Sequence, residues 1–242
     1  MKTYNSNLPV VPIPDQSIYS FLFPEDDPHP SESPSFIDAI TGFTLTRGDL
    51  RRLTLELAWG YCNELARLGG PSLKRGDTIL IFSPNSVAYP VMLHGAFAAG
   101  LRATLANSAY TPAELAHQYH DSSAKLVVVH PSLVKVVLDM FKLLKVSPKK
   151  AKSRIVIAGF AEEDKGPSGF IQVEQLFGKG RLQRPENFDG ELSNETTLLC
   201  YSSGTTGKPK GVEVSYPILY VNEKNLTSTR RRTKIWCLSV SS

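Results

Sequence analysis

Leu50, Leu53, Leu57, Tyr61 and Leu65 recur every three or four residues, the spacing that lines one face of an α-helix. Thr46, with Asp49 three positions on, opens that helix in the manner of a capping box with Asp in place of Glu, and Gly69-Gly70 ends it. A turn over Lys74-Arg75-Gly76-Asp77 leads into Thr78-Ile79-Leu80-Ile81-Phe82, a continuous apolar run of the kind buried on both faces of a sheet. The pattern then alternates. A helix over about 86–99 stops at Gly100, and Leu101 to Leu105 returns as a strand. Thr111-Pro112-Ala113-Glu114 opens the next helix with a cap, an N1 proline and an N3 acid. Leu126 to Val129 reads as a strand, Ser132 to Leu144 as a helix, Ile155 to Ala158 as a strand and Val173 to Phe177 as a short helix. Such alternation predicts an α/β fold, a parallel sheet with helical crossovers covering both faces.

The two ends of the chain break this rhythm. Residues 1–35 carry Pro9, Pro12, Pro14, Pro24, Pro28, Pro30 and Pro34, a density that breaks both helices and central strands and predicts an extended lead. Phe36-Ile37-Asp38-Ala39-Ile40 and Phe43-Thr44-Leu45 then flank Thr41-Gly42 as a short hairpin. From Tyr216 to Ser242 neither periodicity holds, and Ser, Thr and Arg crowd together through Thr227-Ser228-Thr229-Arg230-Arg231-Arg232-Thr233. The expected organisation is a lead over 1–35, an α/β segment over 36–215 and an atypical basic tail over 216–242.

Chemistry concentrates in Ser202-Ser203-Gly204-Thr205-Thr206-Gly207-Lys208-Pro209-Lys210, set between two plausible strands, Thr197 to Tyr201 and Gly211 to Val214. Gly204 and Gly207 permit backbone conformations closed to other residues, so that successive N–H groups can point inward around an anion. Ser202, Ser203, Thr205 and Thr206 add hydroxyl donors, Lys208 and Lys210 add compact positive charge, and Pro209 restricts the loop. Phosphoryl and adenylyl chemistry is mainly positioning and charge stabilisation, so such a loop needs no nucleophile of its own. The glycine and lysine spacing is not that of a Walker A motif.

The run Tyr201 to Val212 resembles the phosphate-loop signature of the adenylate-forming superfamily of acyl- and aryl-CoA synthetases, luciferases and peptide-synthetase adenylation domains. The resemblance extends upstream through Lys74-Arg75-Gly76-Asp77-Thr78 with Ser83-Pro84-Asn85-Ser86, and through Asn107-Ser108-Ala109-Tyr110-Thr111-Pro112-Ala113-Glu114-Leu115. It is most similar to the 4-coumarate-CoA ligase branch, especially its fungal members. This implies a reaction in which a carboxylic acid attacks the α-phosphate of Mg-ATP, releasing pyrophosphate, and the acyl-adenylate is captured by the thiol of CoA. It also implies that Ser202, Ser203, Gly204, Thr205, Thr206, Gly207, Lys208 and Lys210 hold the β- and γ-phosphates. The recognisable pattern ends just after this loop. The family's ribose-binding Asp, metal-coordinating Glu, acid pocket and mobile C-terminal domain have no counterpart in the pattern, so no catalytic or metal-binding residue is assigned. The expectation is an incomplete N-terminal portion of the family's large domain, inactive by itself. A non-catalytic nucleotide-binding module and a non-functional truncated product stay open as alternatives.

Composition modifies this picture little. With 41% hydrophobic and 21% charged residues the 242-residue chain is of ordinary globular make-up. Three cysteines without paired spacing suggest neither a disulfide framework nor a zinc site. Of the net charge of +4, residues from 200 onward supply +5, seven cations against two acids, leaving −1 for the rest. The basicity therefore belongs to the loop and tail, no basic face is implied elsewhere, and no nucleic-acid partner is expected. The N-terminus lacks the apolar core of a secretory signal, and the weakly polar stretch Val87 to Leu101 is too short and interrupted to span a membrane. A cytoplasmic or peroxisomal setting is expected, although the C-terminus shows no peroxisomal signal. His117 and His120 with Asp121 read as a solvated helical face rather than a metal site. His94 reads as a satisfied core or boundary histidine, and Glu162-Glu163-Asp164 as a hydrated turn.

Overall fold

The computed structural model describes residues 16–159, 166–202, 209–216 and 236–238. Part of the lead departs from the extended form expected of it. Between Pro14 and Pro24 no proline intervenes, and a one-turn helix, α1 (Ile18–Leu22), forms there. Ser17 caps it, its Oγ accepting from the Ser20 N–H at 2.9 Å, while its own N–H reaches Asp189 Oδ1 at 2.8 Å. The expected hairpin follows as β1 (Pro34–Asp38) and β2 (Thr44–Thr46), paired antiparallel. The Asp38 carboxylate accepts from the N–H groups of Ile40 and Thr41 across the turn.

Thr46 caps α2 (Arg47–Trp59), its Oγ1 accepting from Asp49 N–H at 3.1 Å and donating to Asp49 Oδ2 at 2.8 Å. The apolar periodicity continues past Trp59, but the backbone does not stay α-helical. Gly60–Glu64 forms a π turn closed by Leu65 N–H to Gly60 O at 2.9 Å. Leu176 packs so closely here that a Cβ on Gly60 would stand 2.5 Å from its carbonyl oxygen.

The strands and helices that follow are β3 (Thr78–Phe82), α3 (Ala88–Ala98), β4 (Arg102–Ala106), α4 (Pro112–Asp121), β5 (Leu126–Val129), α5 (Val134–Leu143), α6 (Pro148–Ser153), β6 (Ile155–Ile157), β7 (Ile171–Gln172), β8 (Thr196–Ser202), β9 (Lys210–Ser215) and β10 (Trp236–Leu238). They build a seven-stranded sheet in the order β7-β6-β5-β3-β4-β8-β9, parallel throughout except for the antiparallel β8–β9 pair. All of β3 is buried, and its side chains divide by face. Ile79 and Ile81 join Val128, Val156 and α3 residues Val91 and Met92 in one core, whereas Leu80 and Phe82 join Val127, Ile155 and α4–α5 residues Leu115, Val137 and Phe141 in the other. The chain steps from β3 to β4 in one direction and from β4 back past β3 to β5 in the other, so crossovers of one hand put α3 on one face and α4 and α5 on the opposite face. Each fully buried side chain of this kind contributes about 1.5–3 kcal/mol.

Several features lie outside the sequence expectation. The helix α6, the two-residue strand β7 and, among the described residues of the tail, the strand β10 were not foreseen. Backbone residues of β10 pair parallel with β1, making a second, three-stranded sheet β10-β1-β2. The near-neutral charge of residues 1–199 also hides a local excess: Lys142, Lys145, Lys149, Lys150 and Lys152 are all exposed on α5, α6 and the turn between them. Among the described residues no helix is long and apolar enough to cross a membrane.

Candidate phosphate-binding site

Strands β8 and β9 form a hairpin whose ladder runs from Thr196 opposite Ser215 to Ser202 opposite Lys210. Because β8 lies parallel to β4, its end at Ser202 is on the carboxyl edge of the parallel strands, where open α/β sheets place ligands. Ser202 and Lys210 thus face each other across the mouth of the candidate loop, both exposed to solvent. Ser203, Gly204, Thr205, Thr206, Gly207 and Lys208 lie outside the described residues.

The hairpin is fixed to the sheet by buried polar contacts as well as by its ladder. Thr104 of β4, fully buried, donates through Oγ1 to Leu199 O at 3.1 Å, and receives Gln118 Nε2 of α4 at 2.8 Å. Gln118 Nε2 also approaches Leu105 O at 3.1 Å. These bonds satisfy groups whose burial without partners would cost about 1–3 kcal/mol each. At the base of the hairpin Thr196 Oγ1 donates to Glu213 Oε2 at 2.7 Å. The helix that carries Gln118 starts as expected, with Thr111 N–H donating to Glu114 Oε2 at 2.8 Å and the Glu114 N–H returning to Thr111 Oγ1.

The expected solvated face of α4 requires correction. His117 is half-buried, with Nε2 2.9 Å from Pro209 O. Tyr201 Oη donates to Asp121 Oδ2 at 2.5 Å, and the His117 and Tyr201 rings meet edge to face at 6.4 Å. Burial, together with the Asp121 carboxylate, pushes the Tyr201 phenol above its ordinary value. The i, i+4 spacing of His117 and Asp121 was legible in the chain, but partners 80 and 92 residues away were not. His120 stays exposed. His94 is also not as expected: its Nδ1 is buried without a hydrogen-bond partner, and burial lowers its pKa to about 4. The acidic cluster Glu162-Glu163-Asp164 lies outside the described residues, as does Arg230-Arg231-Arg232. Among the described residues no group of three His, Cys, Asp or Glu side chains is disposed to hold a metal ion.

The fold is that of an open, mainly parallel α/β protein, with Ser202 and Lys210 paired at the carboxyl edge of its sheet. The model of the AMP-binding enzyme family matches residues 28–239, and the chain belongs to that family. It is 30% identical over 215 residues to 4-coumarate–CoA ligase 5 of Oryza sativa subsp. japonica, an alignment covering 88% of this chain and 35% of that protein. The chain spans about a third of the length of the curated relatives it matches. Among solved structures, a long-chain-fatty-acid-CoA ligase from Archaeoglobus fulgidus superposes with a TM-score of 0.71 at 21% identity, covering 92% of this chain and 41% of that one. The luciferase-like enzyme of the nonluminescent Zophobas morio mealworm gives 0.69 at 19% identity, over 93% and 48%. These two likenesses show the fold.

Proposed function

We propose that this chain is the part of an ATP-dependent acyl- or aryl-CoA synthetase that grips the nucleotide's phosphates, and that by itself it does not complete the reaction. The observation that carries this reading is the position of the Ser202–Lys210 pair. It sets the Ser/Thr/Gly/Lys loop at the carboxyl edge of a parallel sheet, in a family whose matched relatives are CoA ligases. In the whole reaction a carboxylate oxygen bonds to the α-phosphorus as the bond to pyrophosphate breaks. The CoA thiol then displaces AMP from the acyl carbon and loses its proton. The loop supplies N–H groups, hydroxyls and the charges of Lys208 and Lys210 to the triphosphate. Positioning of the acid in line with the α-phosphorus needs further groups, and groups that act as a unit fail together. Mg2+ enters this reading as the counter-ion of the nucleotide.

The test is calorimetric titration of the purified chain with Mg-ATP, followed by incubation with CoA and a panel of aromatic and aliphatic acids. Binding that weakens about tenfold or more in Lys208→Ala/Lys210→Ala, without acid-dependent AMP by mass spectrometry, is the expected result. Unchanged binding in the double variant would sink the phosphate assignment, and AMP formation above that variant would sink the inactivity.

A further inference from the structure

We propose that His117 and Asp121 of α4 are positioning residues for the mouth of the phosphate loop, each anchoring one strand of the β8–β9 hairpin. Pro209 has no N–H and so cannot extend the ladder beyond the Ser202–Lys210 pair. Its carbonyl oxygen would otherwise be left to solvent at the end of an edge strand. His117 Nε2 stands 2.9 Å from it, and since a carbonyl can only accept, Nε2 carries the proton of this bond. The imidazole takes the place of the next ladder bond.

Asp121 does the corresponding work on β8, accepting from Tyr201 Oη at 2.5 Å. The spacing explains why one helix can serve both strands. Residues four apart on a helix lie about 6 Å from each other, and neighbouring strands lie about 4.8 Å apart. An i, i+4 pair on α4 therefore spans two adjacent strands with one side chain for each. The path from Tyr201 to Asp121 also depends on Gly211, the cross-strand partner of Tyr201. A Cβ there would stand 3.1 Å from both Cζ and Oη of the tyrosine. Both anchors rest on a helix that is itself held through Gln118 to Thr104 and so to β8. The separation of Ser202 and Lys210 is thereby set by α4 as well as by the hairpin's own ladder.

Where this geometry bears on nucleotide binding it rests on the function proposed above, so the experiment reads the anchor and the ligand separately. In the full 242-residue chain, hydrogen exchange is followed at the amides of residues 201–202 and 210–211, with tryptic cleavage after Lys210 as a second measure. His117→Phe keeps a ring and removes the donor, His117→Gln restores a donor near Nε2, and Tyr201→Phe removes the other anchor. Exchange and cleavage about three- to tenfold faster in the two Phe variants is expected, the factor corresponding to one net hydrogen bond. His117→Gln should return both to within about twofold of wild type, a rescue that loss of packing alone would not show. Equal rates in wild type and both Phe variants overturn the proposal, as does a His117→Gln chain that behaves like His117→Phe. Should His117→Phe lower the melting temperature, Tyr201→Phe, altered at a single hydroxyl, decides it by the same criterion. Mg-ATP affinity in the same set is expected to fall and recover in parallel. If wild type binds no ATP while the exchange pattern holds, the nucleotide reading fails and the anchoring stands.

Discussion

His94 lies edge-on to Phe23 at 6.1 Å and to Phe97 at 6.0 Å, and its Nδ1 is shut off from water without a partner. An imidazolium there would lose its hydration with nothing in return, so the folded pKa falls from 6.5 to about 4. Between those values the unfolded chain binds a proton that the folded chain does not. Stability is therefore fully present above about pH 6.5 and declines as the pH falls towards 4, by about 3 kcal/mol for a shift of this size. In urea unfolding from pH 7 to 4, the free energy of wild type should fall relative to that of His94→Leu, so that the difference between the two changes steadily across the range. Parallel curves would remove the account. The carboxyls of Asp27, Asp38 and Asp49, held below the ordinary carboxylate range partly by hydrogen bonds from Arg47, Thr41 and Thr46, lose their contribution at lower pH, and alike in both proteins. At this scale the sequence is an uneven guide. Thr111 with Glu114 was readable because both partners lie within one helical turn, whereas the partners of His117 and Asp121 come from the two limbs of the distant β8–β9 hairpin.

Elements were readable where their signal was local and missed where neighbours overrode it. The five-residue apolar run of β3 and the capped start of α4 declare themselves. The π turn over Gly60–Glu64 does not, and neither does the close approach of Leu176, over 110 residues away, to Gly60. Ala in place of Gly60 sets two effects against each other. Helix propensity favours Ala by up to about 1 kcal/mol, but a Cβ placed 2.5 Å from a main-chain oxygen requires the Val173–Leu176 turn to move, and overpacking of this kind costs typically 1–3 kcal/mol. The contact is with backbone, which has no alternative rotamer, so the clash prevails. Gly60→Ala is expected to lower the unfolding free energy by about 1–2 kcal/mol in denaturant titration. A gain in stability would show that the turn yields freely. Residues 148–153 and 171–172 were missed for a different reason: one or two turns of helix and a two-residue strand are too short to display a period.

For the molecule as a whole, alternating elements were enough to reveal a parallel α/β sheet but not its strand order, which depends on the direction in which each crossover travels. Nor could they place β10 beside β1, a pairing between segments about 200 residues apart. The antiparallel β8–β9 pair has a consequence for how the protein assembles. Among the described strands of the large sheet it is the pair whose partners are joined by the shortest connection, and its closure is correspondingly inexpensive. Seating the pair on β4 brings together Thr104 and Leu199, 95 residues apart, and must wait for a far longer loop to close. Pulse-labelled exchange during refolding is expected to protect the amides of β3, β4 and β5 first, with Leu198 and Leu199 acquiring full protection in a later phase; simultaneous protection would contradict this order. An isolated hairpin is at best marginal in water, so until that late step the loop's two ends exist only fleetingly in register. The candidate site would then be the last part of the sheet to become permanent, and the first to be lost when the sheet frays.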